Sequence, residues 1–369
     1  MSASKVYFAD LRASIKENLP AKVVRLADML GLEDIVPERA LVAVKLHFGE
    51  KGNTAYIRPN FVRHIVERVK SLGAYPFLTD SNTLYAGTRA DSVSHLNTAI
   101  ENGFAYSVVN APIIIADGLR GASYSSIKIG QEIVKTAYIG TDIAEADGII
   151  SLAHFKGHEL SGFGGTVKNL GMGCASRRGK MVEHSDLSPK VTRKKCVGCG
   201  ECVEHCSQSA ITLKEEKAHI DPKKCIGCGE CILICSNKAI DVHWNSDFAR
   251  FQKKMVEYAF AVLKRKEGRA AFLNFLTQIS PACDCYGHSD APIVADLGVL
   301  ASTDPVAIDQ ASVDMVNRQR GLDGSSLASH KEAGGDKFRA LYPKVDWSLQ
   351  LDYGEKIGLG KRDYELIPI

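Results

Sequence analysis

Eight cysteines fall into two runs that share the spacing C-x2-C-x2-C-x3-C, and this pattern constrains the chain more than any other feature. Three thiolates spaced in this way on a glycine-containing loop can turn toward one iron–sulfur cube, because glycine leaves the backbone free to approach it. The fourth cysteine lies a helical step further on and reaches a second cube. We therefore predict one [4Fe-4S] cluster on Cys196, Cys199, Cys202 and Cys235, and a second on Cys225, Cys228, Cys231 and Cys206.

The similarity between the two runs extends beyond the cysteines, which indicates a duplicated unit. Matching residues recur at one constant offset: Lys195 and Lys224, Glu201 and Glu230, Ala210-Ile211 and Ala239-Ile240. The spacing is that of bacterial two-cluster ferredoxins. A zinc ribbon is the alternative, but zinc sites use two well-separated pairs of ligands rather than four cysteines in one short run. The pattern favours a two-cluster ferredoxin module.

Length, charge and the absence of long apolar segments define the class of protein. With 369 residues the chain exceeds one average domain, and its net charge of +3 gives no reason to expect nucleic acid or membrane partners. The first ten residues contain no apolar core of signal-peptide length. Cluster-binding thiolates must stay reduced, so we expect a soluble cytoplasmic protein.

Strands and helices alternate along most of the sequence. Apolar runs bounded by turn residues predict strands, of which the clearest are 41–47, 75–79, 112–116, 148–154, 269–279 and 291–300. Helical patterns separate many of them, as in residues 59–71 and 247–266. This alternation predicts an α/β fold with a mainly parallel sheet and crossover helices.

The cysteine runs interrupt this α/β pattern, which stops before residue 190 and resumes at the helix beginning near Asp247. We predict an N-terminal α/β part over residues 1–188, a small α+β ferredoxin-like insertion over 189–243, and a C-terminal α/β part over 244–369. Inserted modules are tolerated where chain ends lie close together.

Three segments outside the cysteine runs resemble the domain-of-unknown-function 362 family. They are Lys168-Asn169-Leu170-Gly171-Met172-Gly173, Cys283-Asp284-Cys285 and Asp304-Pro305-Val306-Ala307-Ile308-Asp309. The resemblance implies an iron–sulfur protein of microbial redox metabolism, with a ferredoxin unit within or beside the family's domain. It implies no particular reaction.

Three cysteines lie outside the two runs and are candidates for a third metal or cluster site: Cys174, Cys283 and Cys285. Thiolate and imidazole together suit zinc, iron or an iron–sulfur centre, and His154, His158, His184 and His288 are candidate additional ligands. The alternative is a set of buried free thiols, which reduced proteins commonly contain.

Histidines and lysines follow the ends of predicted strands and suggest a polar cleft. The candidate catalytic residues are His47, His154, Lys156, His158 and Lys168. Such a cleft would bind a small anionic or carbonyl substrate, with histidine as proton donor. The alternative is that each histidine only stabilises its own loop.

The glycine-rich segment 154–174 does not match a nucleotide-binding pattern, because Val167 stands where G-x-G-x-x-G requires its third glycine. Basic residues follow this segment at Arg177, Arg178 and Lys180. They suit either an acidic substrate or a solvated basic loop.

The leading hypothesis is an oxidoreductase in which the ferredoxin module relays single electrons to this cleft. A redox partner protein would exchange electrons with the module. One alternative is a non-catalytic electron carrier or adaptor whose α/β part only docks partners. Another is a maturation factor that handles a metal or cofactor at Cys283-Asp284-Cys285.

Overall fold

The computed structural model describes residues 3–85, 87–184, 188–206, 208–225, 227, 229–242 and 247–369. In chain order, the strands within these ranges are β1 (Ser4–Asp10), β2 (Leu41–Lys45), β3 (Tyr75–Asp80), β4 (Ile113–Ile115), β5 (Tyr124–Lys128), β6 (Thr136–Gly140), β7 (Gly148–His154), β8 (Lys156–His158), β9 (Gly162–Gly164), β10 (Lys190–Val191), β11 (Ile211–Lys214), β12 (Lys217–Ile220), β13 (Ile240–Asp241), β14 (Ala270–Leu276), β15 (Gly298–Ser302) and β16 (Tyr364–Pro368).

Helices connect many of these strands. Within the same ranges they are α1 (Leu19–Asp28), α2 (Leu32–Ile35), α3 (Pro59–Ser71), α4 (Ser92–Glu101), α5 (Tyr106–Val109), α6 (Thr141–Glu145), α7 (Thr166–Cys174), α8 (Arg177–His184), α9 (Glu201–Glu204), α10 (Glu230–Ile234), α11 (Phe248–Lys264), α12 (Pro305–Arg318), α13 (Lys337–Leu341) and α14 (Ser348–Lys356). Among the described residues, no helix combines the length and apolar character needed to cross a membrane.

The central sheet of the described chain has eight strands in the order β16-β1-β15-β14-β7-β2-β3-β4. Strands β14, β7, β2, β3 and β4 are mutually parallel. Strand β15 is antiparallel to both of its neighbours, and β16 runs parallel to β1. The prediction of an α/β fold with a mostly parallel sheet is confirmed.

Apolar layers cover both faces of this sheet, as parallel sheets require. On one face, α3 buries Val62, Ile65 and Val69 in the same core as Val44 of β2. On the other face, α11 and α7 pack together over Ile149 of β7. Helix α11 begins where the sequence predicted, because the Asp247 side chain accepts a hydrogen bond from the backbone N–H of Arg250.

One predicted strand is wrong over most of its length. Residues 291–297 form a loop, and β15 begins only at Gly298. The loop is held beside β14 by backbone bonds from Ile293 N–H to the Ile279 carbonyl and from Leu297 N–H to the Leu276 carbonyl. The apolar residues Ile293 and Val294 are fully buried in that loop. Their apolar character reflects burial rather than strand pairing.

A small α+β unit lies in the chain between α8 and α11. Its described part pairs β10 with β13, forms the hairpin β11–β12, and contains the short helices α9 and α10. Both helices begin after a glycine in the left-handed conformation, Gly200 at φ 85° and Gly229 at φ 73°. The two halves of the unit therefore repeat the same local structure, as the duplicated sequence indicates.

Candidate functional site

A cavity of about 520 Å³ lies where the parallel strands end. Lys45 and Asp80, which line it, are the last residues of β2 and β3. Lys156 and Cys283, which also line it, follow the ends of β7 and β14. Ligands of open α/β sheets bind at this edge, because loops from neighbouring strands converge there.

Five cationic side chains line the cavity: Lys45, Arg89, Lys156, Lys168 and Lys180. Three of them are neutralised by buried carboxylates. Lys45 Nζ lies 3.2 Å from Asp80 Oδ1, Arg89 Nε lies 3.1 Å from Glu50 Oε2, and Lys156 Nζ lies 3.2 Å from Asp284 Oδ2.

Lys168 and Lys180 differ from the other three cations, since neither forms an ion pair with a carboxylate in the described parts of the chain. Lys168 Nζ lies 3.5 Å from Cys283 Sγ, whereas Lys180 Nζ donates to Ser81 Oγ and to the Ala175 carbonyl. Burial alone would lower the pKa of Lys168, but the Cys283 and Cys285 thiols raise it above its ordinary value. The cavity thus keeps a positive charge available for an anion.

The histidines of the wall are neutral. Burial and the nearby Lys168 lower the pKa of His158 well below its ordinary value and lower that of His184 to about 3. Leu160 N–H is directed at His158 Nδ1 at 3.2 Å, which favours the neutral tautomer with its proton on Nε2. His158 is therefore able to donate a hydrogen bond.

His154 supports the cavity from behind instead of lining it. Its Nδ1 lies 2.8 Å from Asp284 Oδ1, and its Nε2 lies 2.9 Å from the Thr277 carbonyl. Lys156 Nζ donates to the His154 carbonyl at 2.8 Å and completes a buried group around Asp284. Of the predicted catalytic residues, Lys156, His158, Lys168 and His47 line the cavity, whereas the His154 ring is bonded to the segment that follows β14.

Cys283 and Cys285 meet at the cavity wall, with their sulfur atoms 2.9 Å apart. Cys285 Sγ also lies 3.4 Å from His47 Nε2. The pKa of Cys285 is well below that of a free thiol, because the Cys283 thiol donates a hydrogen bond to it and His47 lies beside it. The same donated hydrogen bond, together with burial, raises the pKa of Cys283.

Cys174 is placed apart from this pair. Its side chain is fully buried in the hydrophobic core, where burial raises its pKa to about 12 and its thiol lies 3.8 Å from the Asn169 carbonyl. Among the described residues, no group of three or more His, Cys, Asp or Glu side chains is arranged to hold a metal ion. A third metal or cluster site on these cysteines stays a prediction, and the contacts of the pair favour thiol chemistry.

The cysteines of the two runs line two further cavities. The first is bordered by Cys196, Cys199, Cys202 and Cys235, and the second by Cys206, Cys225 and Cys231. Cys228 lies outside the described residues. In each case the last cysteine of one run faces the first cysteines of the other.

The second of these cavities lies next to the cationic cavity. Leu84 lines the cationic cavity and also belongs to the apolar core of the small α+β unit. A Cβ atom on Gly229, which borders the second cysteine cavity, would come within 2.9 Å of Leu84. Glu230 adds ion pairs to Arg177 and Arg120 at 3.3 and 3.2 Å. The walls of the two cavities thus meet where Leu84 lies against Gly229.

The three basic residues that follow the glycine-rich segment have separate environments. Arg177 is fully buried and donates to the carbonyls of Ala90 and Arg120. Arg178 stacks on the ring of Tyr138, 3.8 Å from its centroid. Only Lys180 of the three lines the cavity. A solvated basic loop is therefore the wrong interpretation for Arg177 and Lys180.

Sequence reasoning missed Arg89 and Tyr85, which also line the cavity. Both lie in the loop that follows β3, and Arg89 Nη2 lies 2.8 Å from the Tyr85 hydroxyl oxygen. The sequence indicates these two residues only through their position in a loop after a predicted parallel strand, since such loops carry ligand-binding groups.

Glu183 should make stability depend on pH. It is fully buried, and within the described residues neither of its carboxylate oxygens has a hydrogen-bond partner. Burial raises its pKa from 4.5 to about 8, against the effect of nearby Lys180 and Lys254. The native state keeps this proton after the unfolded state has released it, so the free energy of unfolding should fall by about 1.4 kcal/mol per pH unit between these two pKa values.

We expect Glu183→Gln to remove this slope in chemical denaturation experiments at pH 5 to 8. The exposed Glu267 provides a matched control, because Glu267→Gln should leave the slope unchanged. Equal slopes in the wild type and the Glu183→Gln variant would contradict the assignment.

The fold and site together define an α/β protein with a buried cationic cavity joined to a cysteine-rich unit. Residues 42–314 match the family described as "Domain of unknown function (DUF362)", and the chain belongs to this family. No curated protein matches the chain.

Two solved structures show distant similarity. The lactate racemase apoprotein from Thermoanaerobacterium thermosaccharolyticum is 13% identical, with a TM-score of 0.37, over 74% of this chain and 51% of that one. A Thermotoga maritima protein of known crystal structure is 8% identical, with a TM-score of 0.38, over 94% of this chain and 60% of that one. The chain thus spans about half to three fifths of the length of these proteins.

Proposed function

We propose that the protein is an iron–sulfur oxidoreductase. The segment 189–243 holds two [4Fe-4S] clusters, and the cavity at the sheet edge binds a small anionic substrate. One observation carries this proposal: Leu84 belongs at once to the wall of the cationic cavity and to the core of the cysteine-rich unit. Redox groups in that unit would therefore lie beside the bound substrate.

The residues of the unit suit two clusters. A [4Fe-4S] cluster takes one thiolate per iron, so its four ligands surround a cavity and do not converge on a single ion. Backbone N–H groups already point at the sulfur atoms: Ala210 at Cys206 (3.3 Å), Ala239 at Cys235 (3.2 Å) and Ala218 at Cys196 (3.4 Å). When bound, such clusters transfer single electrons at potentials set partly by these hydrogen bonds.

The cavity residues favour an anionic substrate. Lys168 and Lys180 form no ion pair with a carboxylate within the described residues. They would bind a carboxylate or phosphate group of the substrate. The neutral His158, with its proton on Nε2, would donate a hydrogen bond or a proton to the group being reduced.

The alternatives have less support. A simple carrier or adaptor needs no cavity of about 520 Å³ lined by five cationic side chains. A metal-handling role would need a set of at least three ligands, which the described residues do not provide. In the oxidoreductase, a redox partner protein would dock at the first run, where Val197 is 63% exposed and Cys199 is also exposed.

Anaerobically purified protein should contain about eight irons and about eight sulfides per chain.

Small carboxylates should raise the thermal midpoint of the protein, whereas the corresponding neutral amides should not. Lys168→Met should remove this difference, because it deletes an unneutralised charge and keeps most of the side-chain volume. An iron content near zero after anaerobic reconstitution would overturn the cluster assignment. Equal shifts by acids and amides would overturn the anion site.

A further inference from the structure

Cys283 and Cys285 are the pair of side chains at the cavity that the proposed function does not use. They lie on the loop after β14, with their sulfur atoms in contact at 2.9 Å. Both border the cavity, but Cys283 is buried, whereas Cys285 is partly exposed. A redox-active cysteine pair needs this asymmetry, with one accessible attacking sulfur and one resolving sulfur behind it.

Hydrogen bonds select Cys285 as the attacking sulfur. Gly49 N–H donates to His47 Nδ1 at 2.9 Å, so the neutral His47 ring carries its proton on Nε2. That N–H is directed at Cys285 Sγ, 3.4 Å away, and the Cys283 thiol also donates to it. Two donors on one sulfur stabilise a thiolate there.

Cys283 has the contacts of a resolving thiol. Its sulfur accepts the backbone N–H of Cys285 at 3.4 Å and lies 3.5 Å from Lys168 Nζ. The ammonium group of Lys168 would stabilise the negative charge that forms on Cys283 once its proton leaves. Closing a disulfide requires a shift of less than about 1 Å between sulfurs that already touch.

We propose that Cys283 and Cys285 form a redox-active dithiol that exchanges with disulfide substrates entering the cationic cavity. This inference goes beyond the proposed function and does not depend on the clusters. The carboxylates of a peptide-like disulfide such as oxidised glutathione suit the charges of Lys168 and Lys180 at the same wall.

The exchange takes place in two displacements. The Cys285 thiolate attacks one sulfur of the disulfide, forms a mixed disulfide and releases one thiolate. That thiolate takes the proton of Cys283, and the resulting Cys283 thiolate attacks Cys285 Sγ. A bond forms between Cys283 and Cys285, the mixed disulfide breaks, and a second thiolate leaves. The substrate gains two electrons, and the cysteine pair is oxidised.

The test treats the full-length, anaerobically purified protein with oxidised glutathione, then maps its cysteines by acid quenching, alkylation and mass spectrometry. The wild type should release about two equivalents of glutathione and yield a Cys283–Cys285 disulfide peptide. The Cys283→Ser variant should release about one equivalent of glutathione and retain the other on Cys285. The Cys285→Ser variant should release almost no glutathione through this cysteine pair. Cys174, in the same digests, serves as the buried unreactive standard.

The proposal fails if Cys283 and Cys285 of the wild type stay reduced, as Cys174 does. It also fails if a folded Cys283→Ser protein does not trap the adduct on Cys285. The wild-type result needs no variant, so a variant that does not fold cannot decide the outcome. Iron measured on the same samples separates the two proposals. If the protein contains full iron but the cysteine pair does not react, only the dithiol proposal is overturned. If the pair reacts but the protein binds no iron, only the cluster assignment is overturned.

Discussion

The double variant Cys196→Ser/Cys235→Ser is expected to keep about four irons per chain, whereas Cys196→Ser/Cys206→Ser is expected to keep almost none. The reason is the way the two runs face each other. Cys196 and Cys235 border the same cavity, so their joint loss removes one cluster. Cys206 borders the other cavity, so its loss together with Cys196 damages both. Iron and sulfide analysis after anaerobic reconstitution measures the difference.

These two variants are matched, because each replaces two of the cluster cysteines by the same residue. A third variant, Cys206→Ser/Cys225→Ser, is expected to resemble Cys196→Ser/Cys235→Ser in iron content, since both of its cysteines border the second cavity. The reverse pattern, with about four irons in Cys196→Ser/Cys206→Ser and almost none in the other two variants, would show that each run binds its own cluster. Circular dichroism of each variant establishes that the α/β part has folded.

Asp284→Ala is expected to destabilise the protein by about 3–5 kcal/mol at pH 7, because it leaves two buried groups without their carboxylate. Asp284 is fully buried, with Oδ1 2.8 Å from His154 Nδ1 and Oδ2 3.2 Å from Lys156 Nζ. Burial alone would raise the pKa of Asp284, but His154 and Lys156 hold it well below its ordinary value. Guanidinium chloride unfolding measures the loss.

The sign of the pH dependence gives a second test of Asp284. A lowered carboxyl pKa contributes stability above the unfolded pKa of about 3.9, and that contribution disappears as the pH falls toward the native pKa. The difference between the wild type and Asp284→Ala should therefore shrink below about pH 4. Asp323→Ala is the control and should change stability by less than about 0.5 kcal/mol, since Asp323 is exposed. A loss at pH 7 no larger than that of the control would contradict the buried role.

The sequence predicted the sheet well because its central strands are buried on both faces and therefore appear in the sequence as apolar runs. Strand β7 illustrates this, since all seven of its residues are buried and its bounds match the prediction. The same criterion failed at Ile293 and Val294, because a buried loop has the same composition as a buried strand. Periodicity cannot separate the two without knowledge of pairing.

The site was predictable only in part, for a related reason. His47 and Lys156 were predicted because they follow β2 and β7, whose ends parallel strands bring to one edge, and His158 and Lys168 because they lie in the polar, glycine-rich segment after β7. Arg89 was missed because its place depends on Glu50, which lies far away in sequence and holds it at the cavity. Cys174 and Cys283 are both buried cysteines, and only tertiary packing places one in the core and the other at the wall.

Leu84 has a consequence for how the chain can be divided. Its side chain and that of Met181 are buried in the same apolar cluster as Cys196, Cys202 and Ile232. Excising residues 189–243 would expose both apolar side chains, and Leu84 is also part of the cavity wall. Although it is contiguous in sequence, the cysteine-rich unit is thus not a removable cassette. It covers Leu84, a residue of the cavity wall, so a change in the packing of the unit is expected to reach the cavity through this side chain.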